Sequence, residues 1–160
     1  MAPSDPECDA IGIPAHLHTT DKVAVDVFQA NERLFRRFPA GTNLAECISF
    51  NRKDSSTNRS SLCDRADDAL WNCEKGGRYK NFGIISIPAK IFDGRTWNSS
   101  EPAEFMVSVF HSPTPCNYSH TDFRVLKNGV ETDQIKPGSV KLQIRQFLSE
   151  SHAINLEITA

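Results

Sequence analysis

No apolar run in this 160-residue chain approaches the length needed to span a bilayer. Its first residues, "MAPSDPECDAIGIPAH", lack a basic stretch followed by an apolar one, so no secretory leader is expected. There is no surplus of base. Lys and Arg number 18 against 20 Asp and Glu, a formal net charge of −2, which argues against a dedicated nucleic-acid binder. Recurrent catalytic signatures are missing as well: no G-x-S-x-G, no Walker-type glycine loop, no dinucleotide fingerprint and no H-E-x-x-H. The cysteines form no C-x-x-C. Five of them, Cys8, Cys47, Cys63, Cys73 and Cys116, are odd in number and scattered, which fits reduced thiols in a cytoplasmic protein. Without secretion, the N-x-S matches at Asn58, Asn98 and Asn117 are chance.

What is present suits one domain. Ten Phe against two Trp and two Tyr supply core material, and 39% apolar with 24% charged residues is ordinary for a folded domain. Residues 1–20 hold three prolines and read as an extended arm, leaving 21–160 as a single domain. In "TTDKVAVDVFQANERLFRRF" two periods compete. Val23, Val25 and Val27 alternate as in a strand, while Val23, Val27, Ala30 and Leu34 fall on one helical face. The longer pattern and a capping Thr20 or Asp21 favour a helix over 21–37. "ECISF" (46–50) reads as a short strand, and Asp64 as the cap of a short helix, "DRADDALWNC", stopped at Gly76-Gly77. Strands are expected over 82–89, 104–111 and 122–127, a helix from Ser139 through Glu150, and one more strand in "AINLEIT". Together these predict an α+β fold with a small, mostly antiparallel sheet and two or three helices. Its core is expected to hold Phe82, Ile84, Ile85, Phe105, Val107, Val109, Phe123, Val125, Ile144 and Phe147.

Polar, bond-making residues stand at the edges of these apolar runs. Residues 31–60 carry six bases and three acids, a local net of +3, whereas residues 1–30 carry one base and five acids. Arg36, Arg37, Asn51, Arg52, Ser55, Asn58 and Arg59 form one constellation. Guanidinium groups bind phosphate or carboxylate bidentately and loop Asn and Ser add donors, so a ligand-binding site for an anion is the sharp interpretation. A solvated face with loop-shaping Asx turns is the bland one. The second constellation is "HSPTPCNYSH", where His111 ends one strand and His120 precedes the next. Either histidine is a candidate catalytic acid or base, with Asn117 orienting a ligand. The same stretch offers His111, Cys116 and His120 to zinc, with Cys63 or Cys73 as a fourth ligand, but in no recurrent finger spacing. No metal and no cofactor is therefore expected. Cys116 between two histidines is also a candidate nucleophile.

The stretches "LFRRFP", "CISF", "SSTNR" and "NYSH" resemble an uncharacterised bacterial small-domain family. Its pattern is an RR pair, a strand ending in SF, an S-x-x-R loop and a late N-x-x-H, and the likeness covers roughly residues 33–125. The resemblance implies a bacterial, cytoplasmic setting and nothing about chemistry. The functional expectation is a small binding or accessory module for an anionic small molecule or a partner protein. Its alternative is a small hydrolase or transferase acting on a phosphorylated or nucleotide-like substrate. Neither a dedicated nucleic-acid contact nor a membrane contact is expected.

Overall fold

A computed structural model describes residues 5–42, 56–98, 103–132, 138–150 and 155–159. Alternation builds its clearest strands. In β7 (Glu104–His111) and β8 (His120–Lys127), Phe105, Val107, Phe123 and Val125 point to one face and are buried, while Met106, Asp122 and Arg124 point to the other. Strand β5 (Phe82–Pro88) is covered on both faces and carries a near-continuous apolar run, whereas its neighbour β1 (Arg33–Pro39) buries Leu34, Phe35 and Phe38 among three arginines. With β2 (Ser56–Arg59), β6 (Trp97–Asn98) and β10 (Asn155–Thr159) they form one curled antiparallel sheet in the order β10-β5-β1-β2-β8-β7-β6. A further strand, β9 (Val130–Thr132), pairs with the far end of β8. A separate two-stranded sheet joins β3 (Trp71–Asn72) to β4 (Gly77–Arg78).

Among the described residues the α-helices are few: α1 (Asp5–Ile11) has seven residues and α2 (Gly138–Glu150) thirteen. The molecule is mostly sheet, which corrects the expected α+β fold with a small sheet and two or three helices. The helix predicted over 21–37 does not form. Val23, Val25 and Val27 are exposed, whereas Leu34 is fully buried, so the helical spacing joined residues that share no environment. Residues 22–29 run without regular structure, because side chains from the sheet satisfy their backbone. Arg59 donates to the carbonyls of Val25 (2.5 Å) and Val27 (2.7 Å), and the Val25 N–H donates to His111 Nδ1 (2.9 Å). The helix predicted from Asp64 shrinks to a 3-10 segment, Ala66–Leu70. Asp64 does not cap it; its N–H donates to Asp68 Oδ2 (2.8 Å), and Gly76 closes the turn of the β3–β4 hairpin while Gly77 opens β4. The 46–50 strand lies outside the described residues.

Helix α2 lays Val140, Ile144 and Leu148 on one sheet face, over Leu34, Ile85, Ile87, Phe105, Val107, Phe123 and Val125. Each fully buried aliphatic side chain contributes about 1.5–3 kcal/mol. On the opposite face Phe35 and Ile84 pack under Ala69 and Leu70. Of the expected core, Phe82, Val109 and Phe147 are only partly buried, at its edges. Gly83 admits the Phe38 ring against the backbone, where a Cβ would stand 2.5 Å from Phe38 Cζ.

A third cluster, Cys8, Ile13, Leu17 and Cys116, holds the first residues against the β7–β8 connection. Cys8 and Cys116 are disulfide-bonded across 108 residues, which corrects the expectation of uniformly reduced thiols. Residues 5–11 are thus helix, covalently tied, rather than extended arm. No helix among the described residues is long and apolar enough to cross a membrane.

Candidate functional site

Ser56 opens β2 and His120 opens β8. Their register pairs Asn58 with His120 and Ser56 with Asp122, so these four side chains share one face of the sheet. Ser56 Oγ lies 2.7 Å from His120 Nε2. On the other side of the ring, Nδ1 lies 2.7 Å from the Ser112 carbonyl oxygen. A carbonyl only accepts, so Nδ1 carries a proton; whenever the ring holds no second proton, its Nε2 lone pair accepts from the Ser56 hydroxyl. Ser112 Oγ donates to Asp122 Oδ2 (2.8 Å), and Asp122 Oδ1 stands 3.8 Å from Nε2.

Beside this pair opens a cleft of about 210 Å³. Arg37, Ser56 and His120 line its base; residues 71–74 of the small hairpin and residues 114–117 of the β7–β8 connection make its walls. Arg37 reaches it because alternation along β1 sends Phe35 and Arg37 to the same face. Its guanidinium donates to the Ala69 carbonyl (3.2 Å) and sits 4.3 Å from the Tyr79 ring centroid; Lys75 Nζ lies 4.4 Å from that centroid. Asn117 stands in the wall, its Oδ1 accepting from Ser119 Oγ (3.0 Å). A larger depression of about 640 Å³ beside Trp71, Arg78 and Tyr79 is shallower and brings no acid–base pair together.

Three sequence-predicted residues, Arg37, Asn117 and His120, therefore meet in one cleft. Others do not. Arg36 points to the opposite face of β1 and donates to the Ser56 carbonyl (2.6 Å). Asn58 is buried beneath the cleft at 3.0 Å from Ser119 Oγ. Arg59 is 4% exposed, with Nε 2.7 Å from Glu32 Oε2, Nη2 2.9 Å from Oε1, and the Phe28 ring centroid 4.3 Å away. Ser61 Oγ and the Gln29 N–H also donate to the Glu32 carboxylate. His111 pairs with Thr121, one position out of phase with His120, so the two rings lie on opposite faces. Both nitrogens of His111 are engaged: Nδ1 by Val25, and Nε2 with the Tyr118 carbonyl at 2.6 Å. The zinc set is not assembled, because Cys116 is in the disulfide and the histidines are separated; no group of metal ligands occurs among the described residues. The disulfide equally removes Cys116 as a free nucleophile. Asn51, Arg52 and Ser55 lie outside the described residues.

Sequence reasoning missed Ser56, Ser112 and Asp122. The only signal was position: Ser112 and Asp122 flank His120 at −8 and +2, but Ser56 is 64 residues away and depends on strand register. Comparison with known proteins finds no family model, curated protein or solved structure that matches this chain.

Proposed function

We propose that the protein binds a small anionic ligand in the cleft above β1, β2 and β8. The observation that carries this is the convergence there of Arg37, Asn117 and His120 from three separate chain segments. Arg37 supplies the charge and a planar donor fork for phosphate or carboxylate. Glu74 lines the cleft as well, so Arg37 carries the attraction for an anion alone among the charged residues that line it. A partner protein presenting an acidic side chain satisfies the same donors, so the module is one of recognition. Calorimetric titration with inorganic phosphate, citrate and a nucleoside monophosphate tests it. At least one should bind saturably, and Arg37→Gln should weaken it about tenfold, or 1.4 kcal/mol. Absence of saturable heat with all three, or affinity indifferent to Arg37→Gln, refutes the proposal.

A catalytic role on a phosphorylated or nucleotide-like substrate is the second reading, and the Ser56–His120 bond is what favours it. As for the setting, the disulfide weighs against the cytoplasm and for an oxidising compartment, where such bonds persist.

A further inference from the structure

We propose that Ser56 is a nucleophile activated by His120, and that the cleft hydrolyses small carboxylic esters bearing an anionic group. This rests on the anion-binding reading and names the substrate class of that cleft. A serine hydroxyl is a weak nucleophile until a base within hydrogen-bond reach takes its proton and a third group orients the base. All three parts are present: Ser56 Oγ at 2.7 Å from Nε2, the Ser112 carbonyl fixing the tautomer through Nδ1–H, and the pair open to a cleft. The orienting group here is a backbone carbonyl rather than a buried carboxylate. Asp122 stands beside the pair, with Oδ1 3.8 Å from Nε2 and Oδ2 accepting from Ser112 Oγ.

The reaction closes without a co-reactant other than water. Ser56 Oγ bonds to the ester carbonyl carbon as its proton passes to His120 Nε2. The bond to the leaving oxygen breaks, and that oxygen takes the proton from Nε2 and departs as an alcohol. Water then attacks the acyl-serine, giving its proton to Nε2, which returns it to Ser56 Oγ as the acid leaves. Asn117, whose Oδ1 lies 3.0 Å from Ser119 Oγ, brings to the wall an amide N–H donor of the kind an oxyanion needs. Arg37 binds the anionic arm and sets the preference among esters. Ester chemistry is the less demanding fit to the described residues: the pair moves one proton and Arg37 lines the cleft with one guanidinium, whereas a transferring phosphoryl group needs charge stabilisation over three oxygens.

The test is covalent capture on the wild-type protein. A neutral alkyl fluorophosphonate should add one phosphonyl group, located by peptide mass mapping at Ser56, and the adduct should vanish in Ser56→Ala and fall at least a hundredfold in rate in His120→Gln. No adduct, or an adduct at another residue, overturns the nucleophile. Because the site is read on the unaltered chain, a misfolded variant does not decide the outcome. The ester class is read from p-nitrophenyl acetate against the p-nitrophenyl monoester of succinate. The charged ester should turn over at least tenfold faster in kcat/KM, and Arg37→Gln should abolish the preference. Equal turnover of the two overturns the anionic ester class, even where Ser56 labels. Failure of the anion site alone thus shows in the calorimetry and ester preference, and failure of the nucleophile alone in the adduct.

Discussion

Replacing Arg59 by methionine isolates what the buried ion pair does. The Glu32 side chain has no exposed surface and that of Arg59 is 5% exposed. Methionine fills much of the space but leaves the carboxylate without its two guanidinium bonds, and the Val25 and Val27 carbonyls without theirs. Breaking a buried pair from one side costs about 3–5 kcal/mol, a large part of the roughly 5–15 kcal/mol that stabilises a domain. Urea unfolding, with the disulfide intact, should show that loss. Arg59→Met combined with Glu32→Gln should recover part of it, because the orphaned charge is gone. A single variant within about 1 kcal/mol of wild type refutes the reasoning and returns Arg59 to the list of ligand residues. The pair also has a pH signature. Burial by itself raises the Glu32 carboxyl, but hydrogen bonds from Arg59, Ser61 and the Gln29 N–H, with the Arg59 charge, outweigh it and hold the carboxyl below its ordinary value. The unfolded chain then binds the proton more readily. This stabilisation is complete above the ordinary glutamate pKa of about 4.3 and is lost as pH falls through the lowered folded value. Glu32→Gln should flatten that part of the stability–pH curve.

Replacing both Cys8 and Cys116 by alanine should cost about 2–5 kcal/mol, read as a lower melting temperature that a reductant no longer changes. Gly83→Ala forces a methyl into the Phe38 ring and should destabilise by about 1–3 kcal/mol in thermal unfolding; an unchanged melting temperature would mean that the ring moves aside without loss. Burial pushes the Cys63 thiol up to about 12. At pH 8 its thiolate is then on the order of one part in ten thousand, so iodoacetamide should label Cys73 well before Cys63 in the folded protein. Equal labelling rates by mass mapping would show that Cys63 is not shielded.

Strands β7 and β8 and helix α2 were legible because their buried apolar residues follow one period and meet one environment, and β5 because its unbroken run of apolar residues is buried on both faces. Strand β2 was not. "STNR" is polar throughout, yet Thr57, Asn58 and Arg59 are buried, each bonded to a group far along the chain. A polar central strand leaves no hydrophobic signature, and the valines of 22–29 supplied a false one while standing in solvent. Arg37, Asn117 and His120 were findable as polar residues ending apolar runs. What separated them from Arg36, Arg59 and His111 was strand phase: a shift of one residue decides which face a side chain joins. The cysteine count misled similarly, since five scattered residues do not reveal that two of them meet.

The Cys8–Cys116 bond has a practical consequence for the cleft. Residues 114–117 form one wall, and Cys116 is the wall's covalent anchor to α1. The shape of the cleft is therefore a function of oxidation state as well as of sequence. Protein prepared with a thiol reductant presents an unanchored wall, so any assay of the cleft made on it samples a different shape from the one formed under oxidising conditions.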